Sequence, residues 1–290
     1  MKKIKLVAID IGGTLITDDN KITAKNFETL KKLKLMKIEV ALITARMYSS
    51  TKYISNLIAA DYGVFGNGSN IMNLSNLTTY YTEIISKDLL KELVLFGKKN
   101  NMYIHLSEEL YETSDENKYF ALKHNILNEN YPQNLKSNIQ VVNNLLDYVN
   151  NAQNVVKVIF VTESSNDMSA FIEKFKIKFP NLYICEYNRN LYENAIGQTI
   201  NYIEVGVKNT TKAEGLKNLL NVLKINHDEI LVIGDGDNDI EMFKEFTNSG
   251  CLINGTNMAK KYANYISNYT NNESGVSEII EHYVKRLEKE

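Results

Sequence analysis

The chain has 290 residues, enough for two domains of ordinary size, and its 44% hydrophobic and 23% charged residues are those of a soluble globular protein with real apolar cores. A formal net charge of -2 gives no bias toward nucleic acid or an anionic membrane surface. Cys185 and Cys251 lie far apart and form no CxxC pair, so neither a disulfide framework nor a zinc site is read, and a reducing cytoplasm is expected.

From the N-terminus, Ile4 to Ile9 is a short apolar run broken by Lys5 and ending at Asp10. It is too short for a signal-peptide core or a membrane span and reads as a strand. Phe27, Leu30, Leu33 and Met36 recur every three residues as a helix stripe, and Val40 to Ile43 is a second apolar strand ending at Thr44. This β-α-β order predicts a parallel sheet with helices on its faces. The block from Thr82 to Gln198 differs in texture. Val155 to Thr162 alternates as a strand, Met168, Phe171, Ile172, Phe175 and Phe179 follow at helical spacing, and Asn125 to Asn144 reads as a polar connection. Beyond it the first pattern returns: a helix marked by Ala213, Leu216, Leu219, Leu220 and Leu223, a strand from Ile230 to Ile233, and a final helix marked by Val276, Ile279, Ile280, Tyr283, Val284 and Leu287. The expected organisation is therefore one α/β domain made of residues 1–81 and 199–290, with a second α/β domain, 82–198, inserted into it.

The strongest chemical signal is Gly234-Asp-Gly-Asp-Asn-Asp239, which puts Asp235, Asp237 and Asp239 within five residues just after a buried strand. Like charges so close raise one another's pKa, and a hard cation with oxygen ligands relieves the penalty; Mg²⁺ with a phosphate substrate suits an open acidic site. A solvated acidic turn or an N-cap is the alternative reading. Asp10 ends the first strand and is followed by Gly12, Gly13 and Thr14. Ligands of open parallel sheets bind beyond the carboxyl ends of the strands, and Asp10, Thr44 and Asp235 all sit at such ends. A carboxylate beside a cation, with N–H groups and a hydroxyl nearby, is arranged to attack phosphorus. Lys212 opens a helix, where a cation meets the unfavourable end of the dipole unless an anion or the aspartates offset it; an exposed surface lysine is the alternative.

Taken together these residues resemble the haloacid dehalogenase superfamily, specifically its Cof-type members of subclass IIB. Motif one, Asp-x-Asp-Gly-Thr-Leu after a strand, is matched by Asp10-Ile-Gly12-Gly-Thr-Leu15, and motif two by Ala41-Leu-Ile-Thr44 with the Cof-type Arg46. Asn67-Gly68, Lys212, the full Gly234-to-Asp239 motif with Met242, and the tail Asn271-Asn-Glu-Ser-Gly275-Val follow in family order. The resemblance implies a Rossmannoid core with a parallel sheet and an inserted α/β cap of subclass IIB. It also implies a cytoplasmic Mg²⁺-dependent phosphatase acting on small phosphorylated metabolites. In that scheme Asp10 is the nucleophile that becomes an aspartyl-phosphate, and Thr44 and Lys212 hold the transferring phosphoryl. Arg46, Asn67, Gly68 and Asn238 join Thr44 and Lys212 in substrate binding. Asp10, the carbonyl of Gly12, Asp235 and Asp239 serve the metal. No nucleic-acid or membrane partner is implied, and no oligomeric state is read.

Two departures stand out. Residue 12, where the family carries the aspartate that protonates the leaving oxygen and activates water, is glycine. Losing a positioned acid/base costs about 10²–10⁴-fold in rate. Asn254-Gly255-Thr256 stands where a Gly-Asn-Ala type turn is usual. Two further readings stay open: a metal- or phosphate-binding protein without efficient turnover, and, remotely, a sugar kinase of the actin-like fold, whose first phosphate loop Asp10-Ile-Gly-Gly-Thr14 also resembles. His105, His124, His227 and His282 are isolated and read as structural or surface residues.

Overall fold

The computed structural model describes residues 3–115, 139–163, 165–187, 201–208 and 210–284. In chain order these form β1 (Leu6–Asp10), α1 (Ala24–Leu35), β2 (Glu39–Ile43), α2 (Lys52–Leu57), β3 (Tyr62–Phe65), β4 (Asn70–Asn73) and β5 (Thr78–Thr82). Next come α3 (Lys87–Lys99), β6 (Tyr103–Glu108), β7 (Glu112–Ser114), β8 (Ile139–Val141), α4 (Leu145–Val149), β9 (Val155–Thr162), α5 (Ser165–Lys178), β10 (Tyr183–Tyr187) and β11 (Asn201–Gly206). The chain then runs through α6 (Lys212–Leu223), β12 (Ile230–Gly234), α7 (Ile240–Glu245), β13 (Ser249–Cys251), α8 (Asn257–Tyr262), β14 (Tyr265–Ile266) and α9 (Gly275–Tyr283). Two compact units result: Met1–Arg46, Thr51–Tyr81 and Thr210–Glu290 form one, and Met47–Ser50 with Thr82–Asn209 the other.

The first unit is a three-layer sandwich. Among the described residues its sheet has the order β14-β13-β12-β1-β2-β3-β4-β5, parallel from β14 to β3, with β4 antiparallel to β3. Buried on both faces, the central strands are continuous apolar runs, as parallel sheets require. Val7, Ile9, Val40, Leu42, Leu231 and Ile233 pack with Leu30 and Leu33 of α1 and Val276, Ile279 and Ile280 of α9. Their neighbours along each strand, Leu6, Ala8, Ala41, Ile43, Ile230 and Val232, pack on the other side with Leu216, Leu219 and Leu220 of α6 and Met242 and Phe243 of α7. The helix stripes read in the sequence at 27–36, 213–223 and 276–284 are these buried faces; Leu287 lies outside the described residues. In the actin-like kinase fold this phosphate loop opens a β-hairpin, whereas here β1 is followed by a helix and a parallel strand, which removes the kinase reading.

The second unit carries a mixed sheet of order β10-β11-β9-β6-β7-β8. Val158 and Phe160 of β9, with Ile104 and Leu106 of β6 and Ile203 and Val205 of β11, face α3, α4 and α5, whereas Ile159 and Val161 form a small cluster with Tyr103 and Tyr202. Residues 201–208, expected in the first domain, depart from that expectation: β11 pairs antiparallel with both β9 and β10 and belongs to this sheet. Most of the polar stretch 125–144 and His124 lie outside the described residues. Phe160 is fully buried, with ring centroids 4.9 Å from Phe171 and 5.8 Å from Phe175. Phe160→Ala is expected to cost about 3–5 kcal/mol, read as a lower denaturant midpoint. Among the described residues no helix is long and apolar enough to cross a membrane.

Candidate active site

The parallel register brings three strand ends to one edge. Asp10 pairs with Ile43, so Thr44 follows directly, and Ile9 pairs with Ile233, so Asp235 leaves the next strand two residues later. The turn after β1 depends on Gly13. Its φ is +76°, in the left-handed region, and a Cβ there would lie 2.4 Å from Asp235 Oδ2. That close approach lets Thr14 Oγ1 donate to Asp235 Oδ1 at 2.5 Å.

Lys212 is brought in by α6. Thr211 caps the helix, its hydroxyl accepting from the N–H of Glu214 while Glu214 Oε2 accepts from the N–H of Thr211. Gly68, with φ +100°, lets the turn after β3 lie against this helix start, since a Cβ would meet the Thr211 carbonyl at 2.4 Å. The lysine is 1% exposed and donates to Asp10 Oδ1 at 2.7 Å and to Asp239 Oδ1 at 2.6 Å. Asp239 is wholly buried, and its second oxygen accepts the N–H groups of Asp235 and Gly236 at 2.9 and 2.8 Å. One side chain thus folds the acidic loop around itself and fixes the cation that holds Asp10.

Carboxylate oxygens of Asp10, Asp235 and Asp239 lie within 4.8 Å of one another. Burial pushes Asp10 up to about 7; Lys212 opposes that, and Asp239 and Asp235 add to it. Asp235 is pushed up to about 6, again first by burial, with the Thr14 hydrogen bond opposing. Burial disfavours the Lys212 cation, but the carboxylates of Asp10 and Asp239 outweigh it and hold its pKa above the ordinary value. The set is short of positive charge. All its donors are hard oxygens, so it fits a cation such as Mg²⁺. Asp10 rises from 3.8 to about 7 on folding, and between those values the folded chain holds more protons than the unfolded one. Stability in the absence of divalent cations is therefore expected to fall as pH rises through this window. Mg²⁺ should reverse the loss, most strongly above neutrality, as read by melting temperature against pH with and without the ion.

The other expected residues take different places. Thr44 is buried; its oxygen accepts the N–H of Arg46 at 3.2 Å, which leaves its hydroxyl proton free to donate. Asn238 Nδ2 donates to Asn67 Oδ1 at 3.3 Å, and Asn67 has a left-handed φ of 55°. Asp237, counted with the acidic run, does not join the cluster: it is exposed and accepts from Thr256 Oγ1 at 2.6 Å. Gly12 is exposed at the mouth of the first turn, with no left-handed φ, and a Cβ built there meets only Arg46 Nη2, at 3.6 Å. None of the described histidines belongs to the site: His105 is buried in β6, His227 faces Glu245, and His282 stacks on Tyr265.

Sequence reasoning missed the supports. Asn254 Nδ2 donates to the carbonyl of Gly13 at 2.9 Å, and its oxygen accepts the N–H of Asn271 at 3.0 Å. Asn271 in turn donates to the carbonyl of Ile16. The unusual Asn254-Gly-Thr turn therefore clamps the motif-one turn to the C-terminal tail. The Thr-x-x-Glu capping box at Thr211 is the sequence signal that marks the start of α6.

A family model for haloacid dehalogenase-like hydrolases matches residues 7–280. YitU of Bacillus subtilis, a 5-amino-6-(5-phospho-D-ribitylamino)uracil phosphatase, is 26% identical over 286 residues covering 96% of this chain and 97% of its own. A haloacid dehalogenase-like hydrolase from Bacteroides thetaiotaomicron shares the fold with a TM-score of 0.82 at 22% identity, over 97% of this chain and 99% of the other. A subclass IIB sugar phosphatase does so with a TM-score of 0.70 at 18% identity, over 96% and 98% of the two chains. The chain belongs to the haloacid dehalogenase-like hydrolases and has the fold of their subclass IIB members.

Proposed function

We propose that the chain is a cytoplasmic, Mg²⁺-dependent phosphatase-like hydrolase of small phosphorylated metabolites that works through an aspartyl-phosphate on Asp10, and that Gly12 makes it slow on poor leaving groups. The observation that carries this reading is the buried Lys212 shared between Asp10 and Asp239 beside Asp235. A surface acidic turn would not fold two carboxylates around one inaccessible ammonium, because isolated buried charges are strongly penalised.

In the proposed reaction one carboxylate oxygen of Asp10 attacks phosphorus and the leaving oxygen departs with the bonding electrons. Lys212 orients Asp10 and, with the Thr44 hydroxyl, holds the transferring phosphoryl. Asn67 and Asn238 lie at the same edge as further donors. Mg²⁺, when bound, would draw charge from the phosphoryl oxygens. Asp10, Asp235 and the Gly12 carbonyl would hold it, with Asp239 fixing the loop through its bonds to Lys212 and two backbone N–H groups. Water then attacks the aspartyl-phosphate, releasing phosphate and restoring the carboxylate. Both halves lack a carboxylate at residue 12 for proton transfer.

The test is phosphate release with Mg²⁺ from 4-nitrophenyl phosphate and a panel of small phosphate esters, including the ribitylaminouracil phosphate for which YitU is named. Release that requires Mg²⁺ and is absent from Asp10→Asn supports the reading. Binding of Mg²⁺ and phosphate without release, in both the wild type and Gly12→Asp, would make the chain a binding protein instead.

A further inference from the structure

Resting on the phosphatase reading above, we infer that Arg46 takes over the leaving-group side of this site, and that the substrates are activated phosphoryl compounds whose leaving oxygen departs as a carboxylate or phosphate anion.

A Cβ built on Gly12 has one neighbour within 4 Å, the Nη2 of Arg46 at 3.6 Å. A group occupying the place of the absent side chain would therefore meet a guanidinium. The base of Arg46 is held on both sides: its N–H donates to Thr44 Oγ1 at 3.2 Å, and its carbonyl accepts the N–H of Gly66 at 3.0 Å. Among the described residues no ion pair joins its guanidinium to a carboxylate. The residue type is informative too. The chain has 33 lysines and arginines, of which only Arg46, Arg189 and Arg286 are arginine, yet this position carries one. Arginine differs from lysine in offering a planar pair of N–H donors that matches a carboxylate or phosphate bidentately.

A guanidinium does not give up its proton near neutral pH. It stabilises an anion by hydrogen bonding and charge but cannot complete the departure of an alkoxide, which needs a proton. This sorts substrates by leaving group. With an acyl phosphate or a phosphoanhydride, the Asp10 oxygen forms its bond to phosphorus and the bridging P–O bond breaks. The electron pair stays on the departing carboxylate or phosphate, which leaves as an anion beside Arg46 with no proton moved. Water then attacks the aspartyl-phosphate, its proton passes to a phosphate oxygen or to solvent, and Asp10 is restored. A simple alkyl phosphate has no such route at this site. Gly12 thus acts as a selectivity element rather than a plain loss.

The experiment compares kcat/KM, with Mg²⁺ present, for acetyl phosphate, pyrophosphate, aryl phosphates of decreasing leaving-group acidity and an alkyl phosphate. It uses the wild type, Arg46→Ala, Arg46→Lys and Gly12→Asp, with Asp10→Asn as blank and melting temperatures as a folding control. The wild type should fall steeply along the series, its preference for activated substrates over the alkyl ester reaching about 10²–10⁴-fold, the usual worth of an acid/base. Gly12→Asp should flatten the series by raising the poor leaving groups. Arg46→Ala should lose about 10²–10³-fold on the activated substrates, the usual cost of removing one anion-stabilising donor. Arg46→Lys should recover part of that loss. The ratio of acetyl phosphate to pyrophosphate tells which anion is preferred. Wild-type turnover of the alkyl ester at a rate comparable to acetyl phosphate, or activated-substrate turnover unaffected by Arg46→Ala, would overturn the inference while leaving the phosphatase reading in place. No turnover of any compound by any variant overturns both.

Discussion

Gly12→Asp is expected to raise turnover of an alkyl or weakly activated aryl phosphate by about 10²–10⁴-fold, the contribution of a positioned general acid/base. The backbone accepts the change. Residue 12 is exposed, its φ lies outside the left-handed region, and its Cβ would touch only the Arg46 guanidinium at an ordinary 3.6 Å. A carboxylate added there faces a cation rather than another acid, so the folding cost is expected to be small. Steady-state kinetics on both proteins, paired with melting curves, check this. Wild-type turnover equal to or above that of Gly12→Asp would mean that another group already performs the proton work.

Lys212→Met is expected to have the largest combined effect. The substitution keeps an unbranched stem of similar bulk but removes the ammonium that accounts for the alignment of Asp10 and for one of the bonds to Asp239. Breaking a buried pair by removing one partner costs about 3–5 kcal/mol. The cost should be greater above neutral pH, where the stranded carboxylates are ionised, and smaller where Asp10 is protonated. Turnover should fall by at least about 10²–10³-fold, since a preorganised cation at the phosphoryl is lost. Denaturant midpoints at two pH values, with and without Mg²⁺, separate the stability effect from the catalytic one. A variant as stable as the wild type at high pH would contradict the burial and charge argument.

What the sequence made legible follows the physics of each element. β1, β2 and β12 announce themselves as unbroken apolar runs because they are buried on both faces, and α6 and α9 as stripes because each buries one face. β11 was harder to place. It buries only Ile203 and Val205, and alternation within a strand does not name the partner strand. Its pairing with β9 and β10 put the end of the inserted block past residue 198. At the site, Asp10, Asp235 and Lys212 were readable from strand ends, a helix start and the family pattern. The split between Asp237 and Asp239 was not, because a run of acids does not reveal which of them turns inward. The tight turn over Asp237–Asp239 decides it, aiming Asp239 at Lys212 and two N–H groups and leaving Asp237 exposed near Thr256. Thr14 to Asp235 and Asn254 to Gly13 join residues 221 and 241 positions apart, and no local pattern encodes such a contact.

If Asp10 takes up the phosphoryl group and nothing at residue 12 speeds its release, the two half-reactions should separate in time. The direct measurement is rapid-quench kinetics of an activated aryl phosphate with Mg²⁺, combined with mass mapping of the phosphoryl group. The expected result is a burst of the leaving group approaching one per chain, a slower steady rate, and an acyl phosphate on Asp10 that hydroxylamine removes and Asp10→Asn lacks. Linear release with no burst and no label on Asp10, or a label that persists in Asp10→Asn, would contradict it.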